Sequence, residues 1–229
     1  MPVAAPDITA IIFDCDGVLV DSEAVSLEIE RDLLAKHGLT YEPAEYQRRF
    51  LGTTYSAFFS ELSKDALERT GKDLPADFSE RFWRALRGAY EQRLTAIEGA
   101  LETIAAISLP KAVASSSLTE LLNFKLAKVG LKSHFVPHIY SSEFVKRGKP
   151  APDLFFYASE RIGATPETTL VIEDSANGIL AAKAAGMIAA GFTAGGHCLP
   201  GHENTLTKAG ADLIFASFAE LDAFLARAR

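Results

Sequence analysis

The chain has 229 residues, 48% hydrophobic and 23% charged, which suits a globular protein of one large domain, or a core carrying a smaller one, and excludes collagen-like, disordered and disulfide-scaffold classes. Thirty acidic against 23 basic residues give a net charge of −7, and without a long Lys/Arg run nucleic acid is not an expected partner. Cys15 and Cys198 are too few for a disulfide framework, and no CxxC or zinc spacing occurs, so a reducing, cytoplasmic setting is expected. No stretch approaches the ~18 uninterrupted apolar residues of a membrane helix. Met1–Ala10 lack a basic segment followed by an apolar run, so no membrane partner is expected, and no obligate protein partner is evident in the sequence.

Thr9–Phe13 is a short β-branched and aromatic run that ends in Asp14-Cys15-Asp16-Gly17, and it reads as a buried strand. From Ser22 to Leu94 no strand is expected. Val25, Ile29 and Leu33 recur every four residues, and Thr53–Arg69 and Phe78–Leu94 also read as helices, punctuated by Gly38, Pro43, Gly52, Gly71 and Pro75. Beyond them, strands at Ala112–Ala114, Leu170–Ile172, Ile188–Phe192 and Leu213–Phe215 alternate with helices at Leu101–Ile107, Leu118–Val129, Pro152–Ile162, Ala176–Ala185 and Phe218–Ala228. Gly130, Gly163 and Gly186 sit where helices should stop, and Ser217 with Glu220 forms a capping box. Such alternation predicts an α/β fold with a doubly wound parallel sheet, its core drawn from residues 1–20 and 95–229, with residues 21–94 inserted after the first strand as an all-helical cap. Ligands bind at the carboxyl ends of such strands, where an insertion would cover the pocket.

Three strands run into polar residues at those ends: Asp14 and Asp16, Ser115, and Glu173 with Asp174. A doubly wound sheet would bring them to one edge. Carboxylates gathered there repel one another unless a divalent cation sits between them, and an all-oxygen donor set in a small pocket suits Mg²⁺. One carboxylate can attack phosphorus while the other serves as acid and then as base, and Asp14 and Asp16 are spaced for that division. Ser115 and Lys149, the latter in Gly148-Lys149-Pro150-Ala151-Pro152-Asp153, are candidates to hold the transferred phosphoryl oxygens.

The run Asp14-Cys15-Asp16-Gly17-Val18-Leu19-Val20-Asp21-Ser22-Glu23 closely resembles the first signature of the haloacid dehalogenase-like hydrolases, and Ser115, Lys149 and Glu173-Asp174 match the next three in order and spacing. The resemblance covers essentially the whole chain. It implies a Rossmann-like core with a helical cap of the beta-phosphoglucomutase and phosphoglycolate phosphatase type. By position, it makes Asp14 the nucleophile and a Mg²⁺ ligand, and Asp16 the general acid/base that also offers its backbone carbonyl to the metal. Ser115 and Lys149 would hold the phosphoryl group, Asp174 would complete the metal site, and Glu173 would be a second ligand or its support. Ser116 could add a phosphate contact or simply enter the following helix.

Within that family, Asp16 favours phosphoryl transfer over dehalogenation, and neither Lys36 nor Lys64 sits in a motif for the Schiff-base lysine of phosphonate-cleaving relatives. A mutase of the beta-phosphoglucomutase type is the main rival. Where such mutases carry a histidine and a phosphate-gripping cap arginine, this chain has Ser26 and Tyr55, so hydrolysis of a small phosphorylated metabolite is the expectation. Arg48 and Arg49, ahead of Gly52, are candidates to bind an anionic group, with Arg49 taken as a substrate contact. A short similarity around Ile97-Glu98-Gly99-Ala100 and Ala106–Ser115 points to sugar-phosphate or sugar-acid-phosphate phosphatases, including those acting on 6-phosphogluconate. A binding protein that has lost turnover is disfavoured, because every signature acid and the lysine are present. Gly195–His202 is expected to be a glycine-rich surface loop rather than a zinc site, and Phe82, Trp83 and Tyr90 are expected to be packing residues.

Overall fold

The computed structural model describes residues 7–50, 53 and 55–227. Strand β1 (Ala10–Phe13) is followed by four helices, α1 (Ser22–Ala35), α2 (Pro43–Phe50), α3 (Tyr55–Thr70) and α4 (Phe78–Arg93). The chain then alternates: α5 (Ala100–Ala106), β2 (Lys111–Ser115), α6 (Thr119–Lys128), β3 (Ile139–Ser141), α7 (Asp153–Arg161), β4 (Thr169–Glu173), α8 (Ala176–Ala184), β5 (Ile188–Phe192), α9 (His202–Lys208), β6 (Leu213–Phe215) and α10 (Phe218–Arg227).

The strands form one six-stranded sheet in the order β3-β2-β1-β4-β5-β6, every neighbouring pair parallel. Period-two alternation explains why both faces are apolar. Ile11 and Phe13 pack toward Ile104, Leu122 and Leu221, whereas Ile12 packs toward Leu154, Phe155 and Ile179. Strand order reverses at β1, between β2 and β4, and a doubly wound sheet opens its ligand crevice at such a switch point. The register pairs Phe13 with Ile172 and with Val113, so Asp14, Glu173 and Ala114 emerge at one level.

Three elements depart from the sequence reading. Strand β3 has only three residues, too short for a periodic signal, and it lies at the sheet edge after Pro137. Pro43 opens helix α2 instead of separating helices, since the first helical position needs no N–H and suits proline's fixed φ. Residues His202–Lys208, which begin at the end of the expected loop and carry no predicted element, form a helix entered from Gly201 at φ +91°. The expected stops at Gly130, Gly163 and Gly186 all have positive φ, and the Ser217 hydroxyl accepts the Glu220 N–H at 3.2 Å while Glu220 accepts the Ala216 N–H at 2.7 Å.

Residues of α1–α4 pack aromatic rings against one another, Phe58 lying 5.2 Å from Phe50 and 5.3 Å from Phe82, ring centre to ring centre, and these rings continue the hydrophobic cluster on one face of the sheet. Phe82 and Trp83 are packing residues as expected, Trp83 meeting the edge of Tyr55 at 4.3 Å. Tyr90 is likewise buried in the hydrophobic cluster, and it also lines the pocket beneath the helices. No helix among the described residues is long and apolar enough to cross a membrane.

Candidate active site

Asp14 leaves β1 with its amide still bonded to Ile172 O at 2.9 Å, which holds its side chain at the carboxyl end of the sheet. Lys149, reaching in from the loop before α7, donates to Asp14 Oδ1 at 2.6 Å, Glu173 Oε1 at 2.5 Å and Ala114 O at 2.8 Å. Its three protons are thereby satisfied. Burial alone would depress the Lys149 ammonium, but the two carboxylates outweigh it and keep the group charged. Burial raises the Asp14 carboxyl well above its usual range; Lys149 opposes this, and the acids Glu173, Asp174 and Asp16 add to it.

Asp16, two residues on, lies in a different set of partners. Oδ1 accepts from the Ser22 hydroxyl and the Lys125 ammonium, and Oδ2 accepts from Ser117 Oγ at 2.8 Å and from Ser115 Oγ at 3.4 Å. Burial would raise this carboxyl, but Lys125 and the bonds from Ser22 and Ser117 lower it overall. Two aspartates of one short turn thus have their acidities moved in opposite directions by different partners.

Glu173 is fully buried, one oxygen on Lys149 and the other accepting from Ser175 N at 3.2 Å and Ser175 Oγ at 2.9 Å. Asp174 Oδ2 lies 3.1 Å from His197 Nε2. Carboxylate oxygens of Asp14, Glu173 and Asp174 all lie within 4.8 Å of one another, and all three residues are buried. This all-oxygen set fits a hard divalent cation. Gly17 leaves room for it, because a Cβ there would stand 1.9 Å from Asp174 Oδ2, and at φ +71° the position favours glycine for a second reason.

The loop from Thr193 to Gly201 is more than surface. His197 is buried, the Gly196 amide donates to Asp21 Oδ1 at 3.0 Å, and a Cβ on Gly195 would stand 2.8 Å from Gly17 O. Burial would depress the His197 imidazole, but its bonds to Asp174 and Cys198 raise it to about 11, so it is a cation beside Asp174. His197, Cys198 and His202 also gather within 4.8 Å, yet both histidines direct Nε2 to Asp174, His202 through the backbone oxygen at 2.6 Å.

A pocket opens above these acids. Its floor holds Asp14, Asp16, Ser115, Ser116, Ser117, Lys149, Asp174 and Ser175, so six of the eight residues expected at the site line it. Glu173 lies just beneath. Arg49 is the exception and corrects the reading: its guanidinium bonds Asp65 at 2.8–2.9 Å and Glu45 at 3.5 Å and stacks 5.0 Å from the Phe50 ring, outside the lining. Asp65 is a buried acid that requires a partner, and Arg49 supplies it. The roof contains Ser26 and Tyr55, the two positions singled out against a mutase, together with Glu23, Glu30, Tyr46 and Tyr90. Burial and the nearby Asp16 push Glu23 up to about 8. Burial pushes Glu30 up to about 7, although Tyr46 donates to it at 2.5 Å.

Sequence reasoning did not find Lys125, a fully buried lysine on α6. Its spacing offers a signal: it lies between Leu122 and Leu126 on the apolar face of that helix, where a lysine needs a carboxylate.

A family model for haloacid dehalogenase-like hydrolases matches residues 8–186. The chain is 30% identical over 194 residues to a 6-phosphogluconate phosphatase of Escherichia coli, covering 84% of this chain and 86% of that one. It is 31% identical over 181 residues to a phosphorylated carbohydrates phosphatase of Thermotoga maritima, covering 78% and 82%. Among solved structures, a haloacid dehalogenase-like protein of Agrobacterium tumefaciens superposes with a TM-score of 0.82 at 35% identity, over 96% of this chain and 98% of that one. With the signature acids, the serine and the lysine gathered at the switch point of the sheet, the chain belongs to the haloacid dehalogenase-like hydrolase family and is a phosphoric monoester hydrolase within it.

Proposed function

We propose that the protein is a Mg²⁺-dependent phosphatase that hydrolyses a small phosphorylated metabolite, a sugar phosphate or sugar-acid phosphate, through an aspartyl-phosphate at Asp14. The observation that carries this reading is the pairing of Asp14 on Lys149 with Asp16 on Lys125, both open to one pocket. A carboxylate oxygen of Asp14 attacks phosphorus as the ester bond breaks, and Asp16 delivers a proton to the leaving alcohol. Water then attacks the phosphorus of the aspartyl-phosphate, losing its proton to Asp16, and Asp14 and inorganic phosphate are released. To act as the acid, Asp16 must turn from Lys125 toward the leaving oxygen.

Lys149, Ser115 and Ser116 line the floor where the phosphoryl oxygens would rest. Asp14 and Asp174 would hold the magnesium ion with the Asp16 carbonyl, and Glu173, occupied by Lys149 and Ser175, would stand behind them. When bound, the ion supplies the positive charge that three buried carboxylates and a phosphoryl group need. Residues 21–94 act as a cap that excludes bulk water from the reacting atoms. A mutase must grip a second phosphate, and the Ser26 and Tyr55 side chains that face the pocket carry no positive charge, while Arg49 is engaged by Asp65.

The test is phosphate release from sugar phosphates, sugar-acid phosphates, phosphoglycolate and nucleotides, with Mg²⁺ and with chelator, and with beta-glucose 1-phosphate watched for glucose 6-phosphate. Chelator-sensitive release is expected. Isomerisation without net release would replace the phosphatase by a mutase.

A further inference from the structure

Residues 23, 26 and 30 of α1 recur at spacings of three and four, so Glu23, Ser26 and Glu30 share one helix face, and that face forms part of the pocket roof. Tyr46 from α2, Tyr55 from α3 and Tyr90 from α4 add hydroxyl groups to this wall, and Leu27, Phe50 and Phe58 are its apolar members. Lys149 is the sole cation among the described lining residues, and it is held at the phosphate end by Asp14 and Glu173. Lys125 is fully buried beneath Asp16, Arg49 is bound by Asp65, His197 is buried against Asp174 and Arg48 is exposed, and none of the four lines the pocket. Residues 51, 52 and 54, which lie outside the description, are Leu, Gly and Thr and carry no charge.

We infer that the part of the substrate beyond its phosphate is an uncharged or cationic polyhydroxyl group, and that this pocket selects against substrates bearing a carboxylate or a second phosphate there. The inference rests on the phosphatase reading above. An anion taken from water into a partly buried site needs a positive partner, and the roof offers none. Ionised, Glu23 and Glu30 repel such an anion; protonated, they still leave its charge uncompensated. Sugar hydroxyls, by contrast, both donate and accept, so they match carboxyl and phenol oxygens in either state, and the tyrosine faces pack against the C–H face of a polyol. An ammonium in place of a hydroxyl gains from the same two carboxyls. The wall therefore disfavours 6-phosphogluconate, the compound that names the Escherichia coli relative, whose far end is a carboxylate.

Six-carbon compounds that differ in one group test this directly. Glucitol 6-phosphate and 6-phosphogluconate differ by a hydroxymethyl group against a carboxylate, and glucose 6-phosphate and glucosamine 6-phosphate by a hydroxyl against an ammonium. p-Nitrophenyl phosphate reports the chemistry without a sugar to recognise. With the wild-type enzyme and Mg²⁺, kcat/KM for glucitol 6-phosphate is expected to exceed that for 6-phosphogluconate by at least about tenfold, with glucosamine 6-phosphate no worse than glucose 6-phosphate. If p-nitrophenyl phosphate is hydrolysed, a first ratio below tenfold, a poorer amino sugar, or no turnover of the six-carbon compounds overturns the inference and leaves the phosphatase standing. Hydrolysis of none of the compounds removes both.

Discussion

Asp14 and Asp16 stand in one turn yet differ in what they touch: the first is bonded to Lys149, the second to Lys125 and three serines. Replacing Asp14 by Asn keeps the shape but removes the proposed nucleophile, so phosphate release is expected to fall by at least about a thousandfold, with no acid-stable acyl phosphate after rapid quench. Activity within tenfold of wild type would mean another group attacks. Lys125→Met takes away the buried cation of Asp16, along with the donor that Ser117 Oγ accepts at 2.8 Å, and it is expected to lower kcat on the order of tenfold to a hundredfold with a smaller change in KM. A change confined to KM would show that Lys125 does not orient Asp16. The contiguous acids were legible because one short motif holds both. Lys125 was not, because its partner lies 109 residues away, and a lysine inside a helical run reads as solvated until the fold places Asp16 against it.

At the scale of the element, steric fit outweighs propensity in α8. Alanine in place of Gly178 should help a helix by about 1 kcal/mol. Its Cβ, however, would stand 1.8 Å from Glu173 Cδ and displace a carboxylate held by Lys149 and Ser175. Gly178→Ala is therefore expected to lose about 1–3 kcal/mol in urea unfolding, and an unchanged or higher midpoint would refute the close approach. Between α1 and α2, Glu30 is held near a pKa of about 7 against an ordinary 4.5, chiefly by burial. The folded state keeps a proton that the unfolded chain releases, so this contribution is fully present below about pH 4.5 and is lost as pH rises through 7. At about 1.4 kcal/mol per unit, roughly 3 kcal/mol is at stake. Glu30→Gln should correspondingly flatten the loss of stability between pH 5 and 8; parallel curves for the two proteins would count against a buried acid here.

Over the whole molecule, the sheet brings together buried carboxylates from β1 and β4, and their crowding is a stability cost that a divalent cation relieves. Mg²⁺ at a hundredfold excess over its Kd should stabilise the fold by about 2.7 kcal/mol, raising Tm, with chelator reversing the gain. Asp174→Asn should weaken that response, and a Tm indifferent to Mg²⁺ would remove the ion from these residues. The helices between β1 and α5 place Glu23, Ser26, Glu30, Tyr46, Tyr55 and Tyr90 over the same edge, so the roof and the floor of the pocket come from separate parts of the chain.

Periodicity determined the parallel α/β sheet and the helical run after β1, because apolar runs bounded by polar turns state burial on both faces, and the strand-end positions of Asp14, Asp16, Ser115 and Asp174, with the motif around Lys149, marked residues that line the pocket floor. Only the tertiary structure decided the rest. Arg49 turned to Asp65 because a buried acid requires a cation, Tyr90 turned into the pocket, and His197 closed over Asp174 from a loop that is polar and glycine-rich in sequence. Which side chains face one another across a crevice depends on distances between segments far apart in the chain, and local pattern carries no measure of those distances.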